Sequence, residues 1–240
     1  MLQIHLTEAE IFQDVQCLVA YDEEFDSTAR CVYWYSPEIL CRILIDEVSY
    51  RFQQNFGIRF LIAGYITWDS NDTYWLGQSL VEAVEEVGFY RGKNVNGYEV
   101  EILIALTDQY VEGDGAYGLC WTSNYAIIAR ETLLGLPGFS IQSTDNIIQH
   151  ELSHLYNCED HLVSVPNHPN FDCIMNVFKY DFVFPQGNIP HALVAENWCT
   201  DCKGLISSNK EKFGYPQQIG GGYPGAFPLP YSVNGTVTEL

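Results

Sequence analysis

Residues Ser143–His161 read STDNIIQHELSHLYNCEDH, and both the fold and the chemistry of the chain turn on this stretch. Ser143, Thr144 or Asp145 can act as an N-cap, and the periodic residues that follow predict a helix to about Tyr156. Inside that helix stands His150-Glu151-Leu152-Ser153-His154. At ~100° per residue, positions i and i+4 lie about 40° apart, so both imidazoles can reach one metal ion while Glu151 flanks them. Two imidazoles and one further protein ligand leave a zinc shell open to water, and a nearby carboxylate can take that water's proton. The competing reading is a chance match on a solvent-facing helix, which average residue usage makes a matter of roughly one such chain in a hundred.

Upstream, Cys17–Tyr21 reads as a strand ending in an acidic loop, Asp22–Asp26. Ser36-Pro37 opens an amphipathic helix from about 37 to 56, stopped by Gly57, and Ile58–Thr67 is a buried strand. Leu80–Val87 is a short helix closed by Gly88, and Tyr98–Thr107 is a central strand. Ala116–Thr122 and Tyr125–Arg130 form two adjacent strands joined by Ser123-Asn124. Downstream, residues 162–188 read as loop, Ile189-Pro190 opens a last helix to about Ser208, and the Gly- and Pro-rich residues 214–240 read as a tail. No internal repeat is apparent, and one domain over 1–213 is expected, which the family resemblance given below divides into an upper lobe at about 15–160 and a lower lobe at about 161–213.

Eleven Lys and Arg against 31 Asp and Glu give a formal net charge of −20, which repels phosphate backbones and excludes nucleic acid as a natural partner. No run approaches the ~18 apolar residues of a membrane span, and the first residues show neither a basic nor an apolar signal region. Eight cysteines and sequons at Asn71 and Asn234 tilt the expectation from cytoplasm towards secretion, as a monomer.

The run His150–His161 resembles the metzincin pattern HExxHxxGxxH/D. Asn157 stands where that family has Gly, and Asn tolerates the left-handed turn required there. The resemblance places the third zinc ligand at Asp160, as in the snapalysin group, with His161 as the neighbouring alternative. Cys173-Ile174-Met175-Asn176 is similar to the Met-turn of reprolysins and archaemetzincins, which implies that Met175 floors the metal site. It further implies an α+β fold: a mixed twisted sheet of about five strands, a long active-site helix, and a small irregular C-terminal lobe ending in a helix. The implied activity is zinc-dependent endopeptidase action with Glu151 as general base. A peptide or protein substrate would lie along an edge strand at Tyr117, Gly118 and Leu119. A non-catalytic peptide-binding module with a structural zinc is the alternative.

Cys199-Thr200-Asp201-Cys202, together with Cys173, resembles archaemetzincins, whose C-terminal lobe holds a second, structural zinc on four cysteines. Two readings follow. One is a structural zinc on Cys173, Cys199, Cys202 and either Cys158 or His161. The other is a pair of disulfides, such as Cys158 with Cys173 and Cys199 with Cys202.

Overall fold

Phe12–Tyr21 (β1) is an inner strand of the sheet, and both of its faces are apolar. Val15, Cys17, Val19 and Tyr21 enter one hydrophobic cluster, and Leu18 and Ala20 enter the other. This two-sided burial is the mark of parallel strands covered by helices on both faces. The computed structural model describes residues 12–109, 117–130, 139–161, 172–176, 180–184, 187–190 and 197–217. In it β1 pairs in parallel with Ile58–Thr67 (β2) on one edge and with Ile102–Thr107 (β5) on the other.

Lys93–Val95 (β3) and Tyr98–Val100 (β4) form a separate hairpin. β5 continues in parallel to Ala126–Arg130 (β7), which pairs antiparallel with Gly118–Trp121 (β6). The sheet is therefore mixed, and β6 ends it, with no further strand on its outer edge among the described residues. One face is covered by the helices Pro37–Phe56 (α2) and Phe139–Leu155 (α4), the other by Leu76–Glu86 (α3). None of the described helices is long and apolar enough to cross a membrane.

Several expected boundaries are corrected. The acidic residues after β1 form a helix, Glu23–Thr28 (α1), capped by the Asp22 carboxylate on the Phe25 N–H at 2.9 Å. Acidic side chains in a first turn favour the positive helix end, so the charge density read as loop is a helix start. Tyr98–Thr107 is two strands parted at Glu101, whose N–H donates to the Gln16 carbonyl at 2.8 Å, and Asn96 and Gly97, at φ +52° and +85°, turn β3 back onto β4. An Asn-Gly pair between apolar residues is the strongest short-range hairpin signal. α3 begins four residues before Leu80, at Leu76, where the Gln78 side chain accepts the Trp75 N–H at 3.2 Å.

α4 starts at Phe139, so Thr144 and Asp145 are interior positions, not caps. Both are buried, and Asp145 meets Arg51 of α2 at 2.7 Å. Arg51 also donates to Asn146 at 2.6 Å and Gln149 at 2.8 Å, clamping α2 against α4. Further along the chain, Tyr180–Phe184 (β8) and Gly187–Pro190 (β9) pair antiparallel, so Ile189-Pro190 sits in a strand and does not open a helix. The last helix is shorter than expected, Thr200–Ser208 (α5), beginning after Cys199. Cross-strand pairing there outweighs the local preference of Pro for a first helical turn. Tyr215–Gln217 (β10), expected within the tail, pairs antiparallel with Phe12–Asp14. Gly214 makes the approach possible, since a Cβ on it would collide with the Asp14 carbonyl. The rest of the expected tail, 218–240, lies outside the described residues.

Candidate metal centre

His150 and His154 sit one turn apart on α4 with ring centroids 4.9 Å apart. Each is oriented through its Nδ1. His150 Nδ1 donates to the Ile174 carbonyl at 2.8 Å, and His154 Nδ1 donates to the Cys158 carbonyl at 2.7 Å. With the proton on Nδ1, the Nε2 lone pairs of both rings point inwards, 3.2 Å from each other. Asp160 Oδ1 completes the ring, 3.1 Å from His150 Nε2 and 3.4 Å from His154 Nε2. Three acceptors so placed repel one another unless positive charge lies among them. For zinc bonded to imidazole at ~2.0–2.1 Å, a tetrahedron sets neighbouring donors about 3.3 Å apart, so the ring fits such an ion.

The same demand for charge shows in the titration of these groups. Burial works against an imidazolium at His150 and at His154, but the Asp160 carboxylate and Glu151 outweigh it and raise both pKa values. Burial would raise Asp160 too, yet the two imidazoles hold its carboxyl well below the usual range. Glu151 is pushed up by burial, which the two nearby histidines partly offset.

The turn that brings Asp160 back depends on Asn157, whose φ of +69° is the left-handed conformation expected of it. Asp160 and His161 then diverge. His161 Nε2 lies 3.3 Å from Cys199 Sγ and 3.2 Å from Cys202 Sγ, and the Cys173 and Cys202 sulfurs are 3.8 Å apart. Zinc–thiolate bonds of ~2.3 Å set tetrahedral sulfurs about 3.8 Å apart, so these four side chains also fit one ion. The Cys199 N–H donates to Cys173 Sγ at 3.2 Å, a hydrogen bond suited to a thiolate. All eight cysteines are free thiols, so neither Cys158–Cys173 nor Cys199–Cys202 forms a disulfide in this structure. Cys158 stands outside the group, its thiol towards the Cys202 carbonyl at 3.7 Å. Trp198 anchors this corner by packing on Phe52 and Phe56, at 4.9 and 4.8 Å between centroids, and donating to Ser153 at 2.8 Å.

Cys173–Asn176 is a tight turn closed by Asn176 N–H to Cys173 O at 2.9 Å, and Met175 within it is fully buried. On the other side, the edge strand passes directly over Glu151. A Cβ on Gly118 would come within 2.6 Å of both Glu151 Oε1 and Ile147 Cγ2. Leu119 packs on the opposite face of the sheet, and Tyr117 is exposed at the strand's start. The sequence reading did not assign Gly118 this role, although a glycine inside a strand signals close approach. The Ile174 and Cys158 carbonyls are backbone groups with no side-chain signature.

The fold is similar to that of a solved archaemetzincin. The archaemetzincin of Methanopyrus kandleri superposes with a TM-score of 0.53 at 16% identity, over 83% of this chain and 96% of that one. The archaemetzincin of Archaeoglobus fulgidus, in complex with malonate, gives 0.47 at 11% identity over 80% of this chain and all of its own, 100%. A zinc-dependent peptidase of Methanocorpusculum labreanum gives 0.46 at 13% over 79% and 99%. No protein-family model and no curated protein matches the sequence.

Proposed function

We propose that this chain is a zinc-dependent endopeptidase of metzincin type, with the catalytic ion held by His150, His154 and Asp160 and Glu151 as general base. The observation that carries the reading is the ring of three converging acceptors beside a buried carboxylate that is not part of it. When bound, zinc supplies Lewis acidity to a carbonyl and to a water. Glu151 accepts the proton of the attacking water and returns it to the leaving amine. An extended peptide adds antiparallel to the free edge of β6 around Tyr117, Gly118 and Leu119, where main-chain hydrogen bonds align its scissile bond with the metal. Met175 serves as the Met-turn floor. His161, Cys173, Cys199 and Cys202 hold a second, structural zinc.

The test is hydrolysis of fluorogenic peptides before and after metal removal. A chelator should abolish cleavage, zinc should restore it, and a hydroxamate should inhibit the loaded protein because the site keeps an open position. Cleavage that survives complete chelation would rule the reading out.

Gly118→Ala tests the base's position. The new methyl group displaces Glu151 or the strand, and a misplacement of ~1 Å can cost about 100-fold in rate. kcat should fall by that order while zinc content stays at the wild-type value. An unchanged kcat would show that Glu151 does not act from beneath β6.

A further inference from the structure

We propose that the two ligand groups are energetically coupled: occupation of the His161, Cys173, Cys199 and Cys202 group raises the metal affinity of the His150, His154 and Asp160 group. The inference rests on the reading above that both groups hold zinc. Two ligands of the first group, Asp160 and His150, are held through residues next to a ligand of the second, and the third, His154, through Cys158, whose thiol faces the Cys202 carbonyl. Asp160 and His161 are consecutive, and the His161 N–H is tied to the Met175 carbonyl at 2.7 Å. His150 is oriented by the carbonyl of Ile174, the residue after Cys173. Ile174 is in turn held by its N–H to the Asn197 carbonyl at 2.7 Å, two residues before Cys199. His154 is oriented by the Cys158 carbonyl, and the Cys158 thiol faces the Cys202 carbonyl.

Residues 158–160 and Ile174 lie in no helix or strand. A backbone of that kind is ordered by its ends, and metal binding at such a site is also local folding free energy. Loading the thiolate group fixes the peptide units on either side of His161 and Cys173. Those units present Asp160 Oδ1 and the Ile174 carbonyl to the first group, so the first ion binds an arrangement whose ordering is already complete. His161, Cys173, Cys199 and Cys202 are then positioning residues for the first centre. Changes to outer-shell partners of a metal typically lower its affinity 10–100-fold, which sets the expected size of the effect.

The experiment compares zinc affinities, by chelator competition under reducing conditions, in the full chain and two variants. Cobalt substitution tells the centres apart, because only the thiolate group gives sulfur-to-cobalt charge-transfer absorption. Wild type should bind two ions. Cys199→Ser, whose side chain touches no ligand of the first group, should lose the thiolate signature and bind its remaining ion at least about 10-fold more weakly. Coupling is reciprocal, so His154→Ala should weaken the thiolate centre by a similar factor, and this arm decides the matter if Cys199→Ser does not fold. First-group affinity unchanged in Cys199→Ser, or thiolate-centre affinity unchanged in His154→Ala, overturns the coupling. A wild-type chain that loads only the thiolate group instead overturns the proposed catalytic centre.

Discussion

Replacing Glu151 by glutamine is expected to lower peptide hydrolysis by about 10²- to 10⁴-fold, the range that a positioned general base contributes. Zinc content should stay at the wild-type value. The two halves of this expectation come from different observations. Glu151 lies outside the ring formed by His150, His154 and Asp160, so the substitution removes no ligand. Glutamine keeps the length and shape of the side chain beneath Gly118, where no more than a hydrogen fits, and therefore preserves the packing of α4 on the edge strand. What it loses is the ability to take a proton. Hydrolysis rates measured beside zinc content separate the outcomes: full activity would make the site a zinc centre without this base, and loss of metal would make Glu151 a ligand.

How much of this was legible in the sequence depended on how local the signal was. The helix over 37–56 and the strand over 58–67 have the expected bounds because Ser36, Pro37 and Gly57 are caps whose physics acts within one turn. The spacing from His150 to His154 likewise fixes a geometry by itself once the segment is helical. The left-handed turn at Asn157 was legible through the resemblance, which has a glycine at that position.

What failed to read were features decided across the chain. Thr144 and Asp145 have the chemistry of caps, yet Asp145 serves as a partner for Arg51, nearly a hundred residues away in sequence. Pro190 has the chemistry of a helix start, yet it pairs with Tyr180. The choice between disulfides and a shared centre depended on bringing residues 161, 173, 199 and 202 to one point, which no spacing rule determines. Asp160 and His161 present the sharpest case: adjacent residues of equal ligand quality, separated only by the direction in which one peptide unit turns.

That separation yields the other large expected effect. Asp160→Ala should weaken zinc binding at the first centre by more than about 100-fold, since it deletes a direct ligand where even an outer-shell change typically removes 10–100-fold. Hydrolysis should fall with it. The thiolate signature of the cobalt-loaded variant should persist, because the His161 and cysteine side chains remain. His161→Ala should give the opposite pattern, losing the thiolate centre and weakening the first centre only through the shared backbone. Asp160→His should keep the first ion, because an imidazole there restores a three-nitrogen shell of the kind zinc accepts. Metal stoichiometry, cobalt spectra and peptide hydrolysis on the three variants decide between the neighbours. If Asp160→Ala retains the first ion while His161→Ala loses it, the chain after Asn157 is out of register by one residue, and His161 is the third ligand.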